Sequence, residues 1–225
     1  MKRDEIRNNN IWARLTVLML WLQMVYSLLA IFVYYSLYSL VSSKSVGLGY
    51  EKSHQFVESA LLEMELPLSV LTILFFLIWF WRVYANFHIL HPEKATYKKN
   101  WAIIGWFLPI SSFYRPFVIM REIWLENQED DEEAITEKRY RWVGWWWAFY
   151  LMQFIFPLIS VVLHAKIAEN VATLQVAYFT FICKYFFIIL AAAFAIMLVF
   201  KINQSEQKLR KRGIDLDIYD HLVGK

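Results

Sequence analysis

Cysteine is almost missing from this chain: Cys183 is the only one in 225 residues. No intrachain disulfide can form, so cysteine usage says nothing of the redox compartment. Glycine is also scarce, with six residues, and none builds a Gly-rich phosphate loop. No Gly/Ser linker, internal repeat or low-complexity tract divides the chain. Charge is low, 19% of residues with a net of +3, and the basic residues flank apolar runs. That distribution excludes a nucleic-acid footprint. No nucleophile–base pair, zinc spacing or intramembrane carboxylate pair is present. No catalytic set, cofactor or metal is therefore expected.

What the chain has is apolar length. It is 59% hydrophobic with a mean hydropathy of +0.36, against about 45–50% for a soluble domain. The apolar runs cover residues 15–40, 66–87, 142–163 and 174–200, near the ~20 residues a spanning helix needs. They leave no room for a separate soluble core. Residues 1–225 read as a single all-α integral membrane domain with four transmembrane helices. The first run exceeds the ~7–15 apolar residues of a secretory signal and has no small-residue cleavage site, so it reads as an uncleaved span. Gln23 is its main polar interruption. Residues 42–65 read as a polar loop carrying Glu58, Glu63 and Glu65. The second span has Pro67 in its first turn and must extend through a snorkelling Arg82. A charged tail, 202–225, closes the chain.

Residues 101–125, between the second and third spans, are apolar but broken. Pro109 removes the helical donor opposite the Gly105 carbonyl, and Pro116 does the same at Ser112. Leu108 and Arg115 precede the prolines and are the expected break points. Ser111 and Ser112 can satisfy the freed carbonyls locally. After Pro116 the pattern is amphipathic. Phe117, Met120, Ile123 and Trp124 share one face, with Arg121, Glu122 and Glu126 elsewhere. The segment reads as interfacial or re-entrant.

Charge sets the topology. If residues 101–125 do not cross, only Lys44, Lys52 and Lys166 of the 23 Lys and Arg lie on the second side, with Lys184 inside a span. The positive-inside rule then places both termini in the cytoplasm. If the segment crosses, the bias largely vanishes. Trp12, Trp79, Trp81, Trp101, Trp106, Trp124, Trp142 and Trp145–Trp147 gather near the same boundary, as an aromatic belt or as core.

The blocks WRVYANF (81–87), NWAIIGWFLPI (100–110), RPFVIMREIW (115–124) and WVGWWW (142–147) resemble, in order and spacing, a bacterial membrane-protein family known as domain of unknown function 4328. The resemblance covers about residues 66–200. It implies a several-span inner-membrane protein and supplies no activity, substrate or catalytic residue. One departure is Ala85, where members of the family often carry arginine before the asparagine.

The candidate residues are Gly105, Trp106, Pro109, Arg115, Pro116, Glu122, Trp124 and Lys184. Lys184 is the one basic residue well inside an apolar run. It either snorkels to the outer boundary or is buried against Gln153, Gln23, Glu63 or Glu65. Glu58, Glu63 and Glu65 read as a solvated helix entrance rather than a cation site. His88 and His91, at i, i+3, are a weak metal pattern. The acidic run 129–133 reads as a solvated loop or docking segment, and Lys208, Arg210, Lys211 and Arg212 as a cytoplasmic, lipid-touching patch. Ala191, Ala192, Ala193 and Ala195 permit close helix approach. The expected role is a non-enzymatic scaffold or accessory subunit of the bacterial inner membrane. Its partners would be the lipid bilayer, another protein or a second copy, and not nucleic acid. The alternatives are a small transporter or channel component and, with least support, a lipid-acting enzyme.

Overall fold

The computed structural model describes residues 6–42, 50–126, 140–166 and 171–223. Every regular element among them is helical. These are α1 (Asn10–Ser42), α2 (Tyr50–Leu90), α3 (Trp101–Phe107), a 3₁₀ turn (Ser111–Phe113), α4 (Arg115–Glu126), α5 (Arg141–Lys166) and α6 (Val171–Val223). Helices α1, α2, α5 and α6 are long and apolar enough to cross a membrane. The pair α3 and turn-plus-α4 is bent by 111°.

Local chemistry explains the helix ends. The Asn10 N–H donates to Asn8 Oδ1 at 3.1 Å as α1 begins, a turn that asparagine favours. Helix α2 stops at Leu90, just before the dipeptide His91-Pro92, where the residue preceding proline avoids the helical region.

Two expectations are corrected. Residues 50–65 are not loop but the first turns of α2, and Pro67 lies inside that helix rather than in its first turn. Between residues 50 and 66 there is no glycine or proline, while Glu, Leu, Ala and Met favour the helix. Likewise the charged tail is not a separate segment: α6 runs unbroken to Val223.

The chain forms two compact units. The second, Met19–Thr72 with Trp145–Phe194, is apolar. Its core takes Tyr26, Ala30, Tyr34, Leu37 and Val41 from one stripe of α1, at spacings of three and four. Tyr178, Tyr185 and Ile188 of α6 join them. Tyr34 stacks on Phe181 at 4.9 Å and on Tyr185 at 5.8 Å. On α5, Phe149 packs 5.4 Å from Phe194. Leu28, Leu29 and Phe32 point outward, as on a surface that meets lipid.

The first unit is Met1–Leu18, Ile73–Gly144 and Ala195–Lys225. Trp79, Phe80, Val83 and Tyr84 of α2, Ile119, Met120 and Ile123 of α4, and Leu198, Val199 and Ile202 of α6 are fully buried. The unit also contains a buried polar network. The carboxamide of Asn86 pairs with both backbone groups of Arg7: Nδ2 donates to the Arg7 carbonyl and Oδ1 accepts its N–H, each at 3.0 Å. Asn86 Nδ2 also donates to Glu206 at 2.9 Å, and Asn9 Nδ2 donates to the same carboxylate at 3.0 Å. Arg82, expected to snorkel, is instead held by residues 7–9, a strap that lies just ahead of α1. Its Nε donates to Asn9 Oδ1 at 2.9 Å and its Nη2 to the Asn8 carbonyl at 3.2 Å.

Asn86 is fully buried, so its loss would strand polar groups on both the strap and Glu206. Asn86→Leu is expected to lower stability by about 2–4 kcal/mol in micelles. Ser36→Ala, which removes only a bond to the Phe32 carbonyl of its own helix, is expected to change it by less than about 0.5 kcal/mol. Denaturant titration of the two variants measures the difference.

Candidate functional site

The broken segment is built around one proline. α3 begins where Trp101 N–H donates to the Lys98 carbonyl at 2.9 Å, and it ends at Phe107. Leu108, before Pro109, is extended at φ −87°, ψ 124°, as the pre-proline position requires. The Gly105 carbonyl, which loses its helical donor to Pro109, accepts the Ser111 hydroxyl at 3.2 Å. Ser111 Oγ also lies 3.3 Å from the Leu108 carbonyl, to which Ser112 N–H donates at 2.8 Å. Ser112 Oγ donates to the Pro109 carbonyl at 2.8 Å. The break is therefore satisfied locally. Pro116 does not break a second helix. It is the second residue of α4 and is buried, where a missing N–H costs little.

The arms of the bend meet at Gly105. A Cβ there would stand 3.3 Å from Arg115 Cβ, closer than an ordinary contact. From that point Arg115 reaches back along α3. Its guanidinium carbon lies 3.5 Å from the Trp101 ring centre, 5.3 Å from Tyr97 and 5.7 Å from Tyr114. Among the described residues its Nε and Nη1 are buried without a hydrogen-bond acceptor, and cation–π contacts hold it. Trp106 docks edge-on against Phe76 at 5.7 Å and Phe80 at 6.1 Å.

The buried face of α4 is Pro116, Ile119, Met120, Ile123 and Trp124. Ile119 takes the place expected for Phe117, which is half-buried. Glu122 is tied to α2: the Tyr84 hydroxyl lies 3.1 Å from its Oε2 and also 3.0 Å from the Tyr97 carbonyl. Pro109 itself is exposed. His91 sits 3.9 Å from Glu126, to which Lys94 donates at 2.6 Å. The tryptophans divide. Trp79, Trp124, Trp146 and Trp147 are buried, while Trp142 and Trp145 are about half exposed. An aromatic belt accounts for only part of them.

Seven of the eight candidates lie in the first unit, and Lys184 lies in the second. Lys184 does not simply snorkel. Its ammonium meets Glu65 Oε1 at 2.5 Å, and the Tyr185 hydroxyl donates to Oε2 of the same carboxylate at 2.7 Å. Glu65 is thus no solvated entrance, whereas Glu63 is exposed. Gln153, another proposed partner, instead donates to the Tyr150 carbonyl. The acidic run 129–133 lies outside the described residues, as do the side chains of Glu58 and Arg212. The cluster of Asn9, Asn86, Arg82 and Glu206 went unread from sequence. The asparagines at 8–10, and Asn86 within an apolar run, were its only signals.

An all-helical chain with four potential membrane-crossing helices and one proline-bent helical pair defines a class of membrane protein. Within it, residues 50–204 match the family described as domain of unknown function (DUF4328). That match covers well over half of the chain, which therefore belongs to this family. No curated protein and no solved structure matches it.

Two outcomes follow for these residues. Lys184→Met or Glu65→Leu alone leaves one charge stranded and is expected to cost about 2–4 kcal/mol, with the double variant recovering most of it. A thermal-unfolding double-mutant cycle in micelles reads this, and a neutral Lys184→Met would mean that the ammonium is free to snorkel. Gly105→Val forces the arms of the bend apart, for an expected loss of about 1–3 kcal/mol by the same measurement.

Proposed function

We propose that this protein works in the bacterial cytoplasmic membrane without catalysis, as a scaffold or accessory subunit whose working surface is the broken segment. In this reading the four long helices span and both termini face the cytoplasm. The bent pair dips in from that side as a Trp-rich platform for a protein partner, a second copy or lipid headgroups.

One observation carries the reading. The tip of the bend is apolar and exposed: Phe107 is 70% exposed, Ile110 82% and Phe113 65%. Hydrating such side chains is unfavourable by roughly 25 cal/mol per Å² of apolar surface, and a leaflet removes that cost. By helical rise, α3 is about 10 Å long and α4 about 18 Å. Joined at a 111° bend, they suit the ~5–10 Å depth of an interfacial element rather than a ~30 Å crossing. A transporter or channel component would use freed backbone groups at the break. Here Ser111 and Ser112 already engage the Gly105 and Leu108 carbonyls, which weakens that alternative. A lipid-acting enzyme has no nameable catalytic set.

Cysteine accessibility tests the placement. Cys183 is replaced by serine, and single cysteines are introduced at Ser111, Glu129 and Gln204. An impermeant maleimide is expected to label none of them in intact cells and Glu129→Cys and Gln204→Cys after permeabilisation. External labelling at position 129 would mean that the segment crosses.

A further inference from the structure

We propose that the Arg115 guanidinium, held face-on by Trp101, binds the phosphate of an anionic phospholipid headgroup. The proposal rests on the reading of the bent pair as an element that dips into the leaflet.

Arg115 has no carboxylate partner among the described residues, and its guanidinium is a planar fork of hydrogen-bond donors. Its face is covered by Trp101 at 3.5 Å, with Tyr97 and Tyr114 beyond. A ring on the face of a guanidinium leaves the N–H groups, which lie in its plane, still seeking acceptors. Two of its nitrogens, Nε and Nη1, are buried without one. Nη2, the remaining corner of the fork, is not among the buried nitrogens and makes no hydrogen bond among the described residues, so it is the way in for an outside oxyanion. A phosphate supplies paired oxygens in the geometry that guanidinium prefers.

The surroundings select for a lipid source. The chain folds Arg115 back from the bend towards Trp101, at the start of α3. Exposed Lys98 and Lys99 lie just before that helix. The exposed tip of Phe107, Ile110 and Phe113 lies at the other end of α3. By helical rise the two ends are about 9 Å apart. Cation and apolar tip are thus separated along one short element by roughly the distance from headgroup to upper acyl chain. An ion from solution would satisfy the guanidinium, but it would leave the adjoining apolar tip without a purpose. A lipid fits both.

The test uses the full-length protein in micelles. Native mass spectrometry follows titration with phosphatidylglycerol, with phosphatidylcholine and with inorganic phosphate as the soluble source. Phosphatidylglycerol is expected to be retained in preference to phosphatidylcholine and not displaced by millimolar phosphate. Arg115→Gln is expected to weaken its binding about tenfold or more. Arg115→Lys keeps the charge but lacks the fork, and it should also bind more weakly while its melting temperature and circular dichroism report an intact fold. Arg115→Lys carries the comparison if the glutamine variant fails to fold. Unchanged phosphatidylglycerol affinity in the folded variants overturns the proposal. Displacement by inorganic phosphate overturns it in favour of a soluble-anion site. A bimane label on Ile110→Cys, in the Cys183→Ser background and in vesicles with brominated acyl chains, tests the dipping separately. A quenched tip with unchanged lipid affinity in the variants removes only the Arg115 site. An unquenched tip removes the dipping reading and this site with it.

Discussion

A polar group set among apolar side chains is costly unless another polar group meets it, because neither lipid nor a packed core offers water in exchange. Three such meetings organise this protein. At the bend, the Gly105 carbonyl freed by Pro109 is met by the Ser111 hydroxyl. In the first unit, Asn86 meets both backbone groups of Arg7 and the Glu206 carboxylate. In the second, Glu65 meets Lys184 and Tyr185 together. Each joins parts of the chain that apolar packing alone would leave free to slide, since Leu against Leu has little directional preference.

The bend shows how local chemistry becomes a surface. Leu108 turns extended because a proline follows it, and the serines close the backbone without help from another helix. The turn therefore asks nothing of its neighbours and is free to expose Phe107, Ile110 and Phe113. Anchorage comes from its two ends. Trp106 is pinned by Phe76 and Phe80, and α4 buries Ile119, Met120 and Ile123. Arg115 locks the arms together by stacking on Trp101, and glycine at 105 eases their approach, since a Cβ there would stand 3.3 Å from Arg115 Cβ. A rigidly held apolar tip beside a basic base is the arrangement from which the membrane-facing role is argued.

Much of this was legible in the residues. Apolar runs of near-spanning length required four long helices. Pro109 and Leu108 before it located the bend, whereas Arg115 and Pro116, also expected to break the helix, open α4; the position of the serines foretold how the Gly105 carbonyl would be met. The family resemblance, read from four blocks, extends further than those blocks, beginning at Tyr50. Other features were misread. The serines, glycines and glutamates of residues 42–65 read together as a polar loop, yet from Tyr50 to Leu66 there is no glycine, and glutamate is a good helix former. Arg82 was expected only to snorkel, whereas for Lys184 snorkelling and burial against Glu65 both stood open, and the structure chooses Glu65. The partners that capture them, Asn9 and Glu65, lie 73 and 119 residues away.

That separation marks the division. By itself the sequence determined what depends on near neighbours: the helical class, the spans long enough to cross, the proline bend and its serine closure, and the charge asymmetry at their ends. Each is a matter of period, length or a bond within a few residues. Tertiary structure alone decided which polar groups meet. Asn86 reads the backbone of Arg7 rather than its side chain, so no pattern of residue types announces the contact. Glu206 looks like any tail carboxylate until α6 carries it beside Asn9 and Asn86. Pairings across such distances depend on the rotation of each helix about its axis, and that rotation is fixed only when the faces pack.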